Sequence, residues 1–76
     1  QKLIDMLISQ KIHLSSMLDP IEQRIYLLDS QMSSVELADP RWDAMSYEMS
    51  LLLEQQDEIE ASIRRIDDQL WELRHG

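Results

Sequence analysis

Few side chains in this chain have the types and spacing that catalysis or metal binding requires. His13 and His75 are the only imidazoles, and no histidine or acid lies four residues from His13 to complete a metal site on a helix. The serine pairs at 15–16 and 33–34 have no histidine or acid at the spacing that activates a nucleophile. We therefore predict no catalytic, metal-binding or cofactor-binding residues, no enzymatic activity and no small-molecule substrate.

One segment resembles part of an enzyme. The stretch IRRIDDQLWELR, residues 63–74, is similar to the opening helix of the helical chorismate mutases, in which an Ile-Asp pair recurs among Leu and Arg. The resemblance implies a regulatory or enzymatic domain fragment. It covers twelve residues, and the remaining helices of that family would have to follow it. No catalytic residue is carried over, and Arg64 and Arg65 are expected to pair with acids one turn away.

Composition and charge narrow the class of protein. The 76 residues include one Gly, two Pro and no Cys, so there is little material for turns, and disulfides and cysteine-bound zinc are excluded. The net charge of −8 disfavours nucleic acid and anionic membrane surfaces, and no apolar run approaches the roughly 20 residues that span a bilayer. We expect a helical protein of the cytoplasm or another reducing compartment. Because the chain begins with Gln rather than Met, we expect a processed protein or a piece of a longer one.

Apolar residues repeat at alternating spacings of three and four along both halves of the chain. Only Lys11 interrupts the first series and only Gln56 the second, which is typical of coiled-coil seams. Each seam predicts a helix about 50 Å long at 1.5 Å per residue. The first seam is Ile4, Leu7, Lys11, Leu14, Leu18, Ile21, Ile25, Leu28, Met32 and Val35. The second is Trp42, Met45, Met49, Leu52, Gln56, Ile59, Ile63, Ile66, Leu70 and Leu73.

The stretch ELADPRWDAM, residues 36–45, predicts a turn between these helices. Asp39 can accept hydrogen bonds from the free amides of a new helix, and Pro40 suits the first helical position, where no amide hydrogen is needed. Ser33 and Ser34 weaken the end of the preceding helix. A connection this short joins antiparallel neighbours in most helical proteins.

Folding back about this turn matches the two seams layer by layer. Residues whose numbers sum to 77 then face each other, as Leu7 faces Leu70. We predict an all-α fold, a single domain 1–76: an antiparallel two-helix coiled-coil hairpin with a helix at 1–35, a turn at 36–39 and a helix at 40–74. The polar seam residue Lys11 is expected to reach Asp67.

Pro20 marks a second interruption. An interior proline removes one hydrogen bond and costs about 3 kcal/mol in a helix. The seam nevertheless continues through Leu18 and Ile21 without a slip. We predict a kink or a brief break at residues 18–20, and a three-helix arrangement with a loop there is the alternative.

Apolar residues outside the seam predict a protein interface. They cluster in the first helix, and a helix that is apolar on more than one side is usually buried on more than one side. An exposed Trp also often marks an interface. The predicted interface residues are Leu3, Met6, Ile8, Ile12, Met17, Tyr26, Leu27 and Trp71.

These surfaces favour a protein-binding function. The hairpin is expected to assemble into a four-helix bundle, as an oligomerisation or adaptor module of a larger assembly. Its partner would be a second copy or another helical protein. The alternative is a small acidic chaperone or escort, as in bacterial secretion systems, that covers a hydrophobic helix of a client.

Overall fold

A computed structural model describes residues 2–76 and shows a helical hairpin. Helix α1 is Lys2–Ser33 and helix α2 is Pro40–His75. Two ion pairs give the orientation, because the partner moves back along α2 from Asp67 to Glu48 as α1 advances from Lys11 to Arg24. The helices are therefore antiparallel, and the described part of the chain measures 56 × 16 × 13 Å. The all-α hairpin prediction is confirmed.

The core follows the predicted seam. Leu7, Leu28, Ile66 and Leu70 are the buried side chains, and every seam position of the first half is buried or half-buried. The same holds in α2, except that Leu73 at the open end of the hairpin is 37% exposed. The seam is thus the surface along which the helices pack, and supercoiling of the two helices stays a prediction.

Helix α1 continues through Pro20 without a break. Of the two forms predicted at residues 18–20, a kink or a brief break, the break does not occur. The three-helix alternative is also wrong, because no loop interrupts Lys2–Ser33. Pro20 and Ser16 are both on the exposed side of α1, so the Ser16 carbonyl that loses its amide partner faces water. Leu18 and Ile21, half-buried on either side of Pro20, hold both segments against α2.

The connection between the helices begins two residues earlier than predicted. Helix α1 ends at Ser33 rather than at residue 35, because serine side chains compete for the last carbonyls. The Ser33 hydroxyl donates to the Asp29 carbonyl at 2.9 Å, and the Ser34 hydroxyl donates to the Gln31 carbonyl at 2.8 Å. Val35 nevertheless stays half-buried.

Helix α2 begins as predicted, at Pro40 behind an Asp39 cap. The Asp39 carboxylate accepts the Arg41 amide at 2.9 Å and also contacts the Arg41 guanidinium, with Nη2 at 2.7 Å. The hydrogen bonds from the Arg41 side chain and amide hold the pKa of the Asp39 carboxyl below its usual 3.8. At the other end, α2 runs one residue past the predicted position 74, and the Gly76 amide donates to the Glu72 carbonyl at 2.7 Å.

Adjacent leucines at 27 and 28 offer a matched test of this core. Leu28 is 1% exposed and Leu27 is 54% exposed. Truncating a buried Leu to Ala costs about 2–5 kcal/mol, which is comparable to the whole stability of a scaffold this small. We expect Leu28→Ala to unfold much of the hairpin at 25 °C and Leu27→Ala to change it by less than about 0.5 kcal/mol. Urea titration followed by circular dichroism measures both, and equal effects would contradict the register.

Asp39 predicts a specific dependence on acid. Because its pKa is lowered in the folded chain, it stabilises the hairpin above the unfolded value of 3.8, and this contribution is lost as pH falls through the lower folded value. Asp39→Ala should lower the melting temperature at pH 7 by roughly 4–8 °C. Asp39→Asn keeps a capping acceptor without the charge, so its deficit at pH 7 should be smaller.

Melting temperatures measured over a range of pH distinguish the capping hydrogen bond of Asp39 from the effect of its negative charge. The difference in melting temperature between wild type and Asp39→Asn should be constant from about pH 5 to 7 and should shrink below about pH 3.8. A difference that grows on acidification would show that the ion pair with Arg41 does not stabilise the fold.

Candidate protein-interaction surface

Most of the predicted interface residues are exposed. Leu3, Met6, Ile12, Met17, Tyr26, Leu27 and Trp71 are between 42% and 75% exposed. Ile8 differs, because it is half-buried and packs against the cluster of Leu7, Ile66 and Leu70. Substituting Ile8 would therefore disturb the core as well as the surface.

Helical spacing divides these residues between the two flanks of the seam, although Tyr26 and Leu27 line the same groove on α1. Helical spacing places Leu3, Met6, Met17 and Leu27 on one side of the seam, and Ile8, Ile12, Tyr26 and Trp71 on the other. The first side, the low-charge face, comprises Leu3, Met6, Gln10, His13, Met17, Pro20, Arg24, Leu27 and Gln31 of α1 and Ala44, Glu48, Leu51, Gln55, Glu58, Ser62, Arg65, Gln69 and Glu72 of α2. The second side, the acidic face, comprises Asp5, Ile8, Ile12, Asp19, Glu22, Tyr26 and Asp29 of α1 and Asp43, Leu53, Asp57, Glu60, Arg64, Asp67, Trp71 and Arg74 of α2.

Grooves between the helices agree with this division. On the low-charge face, Met6, Gln10 and His13 border a groove of about 420 Å³ whose floor includes Ile66. Leu3 borders another groove with Gln69. The predicted interface is therefore two surfaces rather than one.

The acidic face has its own grooves. Ile8 and Trp71 share one with Asp67, and Tyr26 and Leu53 share another of about 490 Å³. Trp71 itself stacks on His75, with ring centroids 4.4 Å apart, and remains 61% exposed. Its indole is thus held in place while most of its surface remains open to solvent.

Charge separates the two faces. The acidic face carries eight carboxylates and two arginines, whereas the low-charge face carries three glutamates and two arginines. On the low-charge face, Arg24 bridges to Glu48, with Nη2 and Oε1 2.7 Å apart. On the acidic side, Lys11 reaches Asp67 as expected, at 2.6 Å. Both pairs are nearly half exposed, so each stabilises the fold by at most about 1 kcal/mol.

The expected pairing of Arg64 and Arg65 with neighbouring acids is wrong. Arg65 donates to the Ser62 hydroxyl at 3.0 Å. Within residues 2–76, the ion pairs are formed by Lys11, Arg24 and Arg41, and neither Arg64 nor Arg65 forms one.

Sequence reasoning missed several exposed apolar residues of α2 and the turn. The largest are Leu37, Tyr47, Leu51 and Leu53, at 43–76% exposure. The run LLL at 51–53 could have indicated two of them. Only Leu52 fits the seam, and because successive residues on a helix are 100° apart, Leu51 and Leu53 must lie on either side of it. These two leucines add apolar area to both faces, Leu51 to the low-charge face and Leu53 to the acidic face.

Residues 2–76 were also compared with the requirements of a metal site and of a membrane-spanning helix. This part of the chain contains no group of three or more His, Asp or Glu side chains arranged to hold a metal. Neither α1 nor α2 contains an apolar stretch of the length needed to cross a bilayer.

Comparison with known proteins finds no match to a family model, a curated protein or a solved structure. The similarity of residues 63–74 to the opening helix of the helical chorismate mutases therefore rests on those twelve residues alone. The exposed surfaces of the hairpin are therefore the basis for its proposed function.

The crowded carboxylates predict a response to salt and to single charges. Raising sodium chloride from about 10 to 150 mM should raise the melting temperature at pH 7, because screening relieves repulsion on the acidic face more than it weakens the three ion pairs. Asp57 lies one turn from Glu54 and Glu60, so Asp57→Asn should raise the melting temperature by roughly 1–3 °C.

Asp68 provides the matched control. It lies one turn from Arg64 and Arg65, so Asp68→Asn should lower the melting temperature by a similar amount. Differential scanning calorimetry of the three proteins at both salt concentrations measures this. A rise in both variants would mean that overall net charge, rather than local crowding, controls stability.

Proposed function

We propose that this hairpin is a protein–protein interaction module that assembles through its exposed helix faces, and that it binds rather than catalyses. The observation that carries the proposal is the imbalance between core and surface. Among residues 2–76, four hydrophobic side chains are buried, whereas twelve large hydrophobic side chains are exposed. A hairpin with these proportions leaves many large apolar side chains available to a partner.

Energetics support the same conclusion. Two helices alone make a narrow core, and chains this small bury only a modest share of the surface that unfolding exposes. Removing apolar surface from water contributes about 25 cal/mol per Å². Covering either face would therefore add stability that the isolated hairpin lacks.

The choice of partner class follows from charge. A net charge of −8 repels the phosphates of nucleic acid and of anionic lipid, so a protein partner is the consistent one. Assembly with other helices into a bundle is the leading form of this function, because a helical face is matched best by another helix.

A second candidate function is the escort of a hydrophobic client helix. The groove of about 490 Å³ on the acidic face favours it, because Tyr26 and Leu53 there provide apolar contact between Glu22 and Asp29. In that case the partner would lie on the acidic face and would be a different protein.

Site-specific photocrosslinking tests the proposed function. A benzoylphenylalanine replaces Met17 on the low-charge face, Tyr26 on the acidic face, or Glu54 on the solvent side of α2, in the protein in its native cells. We expect Met17 or Tyr26 to give a discrete crosslinked product at several times the yield of Glu54.

The identity of the product separates the functions. A product with the mass of two copies, or one containing a structural partner, supports an assembly module. A client captured at Tyr26 alone supports the escort. Yields at Met17 and Tyr26 no higher than at Glu54 would contradict any role for these faces in binding.

A further inference from the structure

Helix α1 carries a second stripe beside its seam. From Leu3 to Gln31 the low-charge face repeats at alternating spacings of three and four, the same spacing as the seam. Its apolar members are Leu3, Met6, Met17 and Leu27, and all four are exposed. A helix with two such stripes has the pattern of one that contacts two neighbouring helices.

The stripe contains no carboxylate. All four acids of α1, which are Asp5, Asp19, Glu22 and Asp29, lie on the acidic face. The one charged member of the stripe, Arg24, is already paired with Glu48 across the hairpin. In a chain with a net charge of −8, the stripe is therefore a surface that two identical chains can bring together without carboxylate repulsion.

We infer that a second copy of this chain covers the stripe, with the two α1 helices packed antiparallel to form a four-helix bundle. This inference rests on the proposed function, because it names the partner and the surface of the interaction module. Pairing through the acidic face is disfavoured by charge, since it would bring sixteen carboxylates together against four arginines, whereas pairing through the low-charge face brings together six glutamates and four arginines.

The area of the low-charge face is sufficient. The 29 residues from position 3 to position 31 extend about 42 Å along α1, and the hairpin is about 16 Å wide. Face-to-face packing of both helices over this length covers roughly 670 Å² per copy, or about 1,300 Å² in total, which falls within the range of specific protein interfaces.

Charge also selects the antiparallel arrangement. Parallel α1 helices would place Arg24 beside Arg24 and His13 beside His13 of the other copy. Antiparallel packing about Met17, the middle of the stripe, instead places Arg24 near Gln10, whose amide oxygen can accept a hydrogen bond.

Analytical ultracentrifugation at about 5–200 μM tests the second copy. We expect the 9.0 kDa chain to approach twice its mass as concentration rises. Met17→Lys with Leu27→Lys should weaken association at least tenfold, because both lysines enter the covered stripe. The control, Ile12→Lys with Tyr26→Lys, makes the same charge change on the acidic face and should leave association intact, while circular dichroism checks that both variants remain helical.

A cysteine at the expected centre tests the orientation. The chain has no native cysteine, so Met17→Cys should form a disulfide between two copies under mild oxidation, and Ile12→Cys should not. A dimer that forms without this disulfide overturns the antiparallel α1 pairing.

The two proposals fail in different ways. A wild-type chain that stays monomeric to 200 μM overturns the second copy as partner, and equal weakening by both lysine pairs overturns the stripe as the surface that the second copy covers. If photocrosslinking at Met17 still captures another protein, the interaction function stands. If it captures nothing above the Glu54 control, both proposals fail.

Discussion

The structure depends on one hydrophobic seam between two antiparallel helices. Neither helix has another element to pack against, so burial is concentrated at Leu28 near the turn and in the cluster of Leu7, Ile66 and Leu70 at the open end. The remaining seam residues are only half-buried, apart from the exposed Leu73, because a pair of helices covers each side chain from one side alone. Most side chains outside the seam, apolar or charged, consequently lie on the surface.

That constraint explains why the surface is divided. The seam is the boundary between two faces, and the chain places eight of the eleven carboxylates of the flanks on one of them. The crowded carboxylates of the acidic face repel those of a second copy, whereas the low-charge face has apolar residues with less charge to desolvate. This separation gives one small hairpin a strongly acidic surface and a second surface with little net charge.

Much of the fold could be predicted from spacing alone. The seam, the antiparallel orientation and the start of α2 at Pro40 followed from apolar periodicity and the Asp39 cap, since both are local rules. The end of α1 was less accessible, because Ser33 and Ser34 compete for carbonyls in ways that depend on local geometry. Helical spacing separates Ile8 from Met6, but the packing of Ile8 against the cluster of Leu7, Ile66 and Leu70 depends on the pairing of the two helices.

The position of the most buried residue has a consequence for how the hairpin forms. Leu28 lies near the turn, and the layer rule places position 49 opposite it, 21 residues along the chain, whereas Leu7 and Leu70 are 63 residues apart. Closing the longer loop first costs about 1 kcal/mol more in chain entropy. Folding is therefore expected to nucleate at the turn and zip outward, with the open-end cluster the last to form and the first to fray.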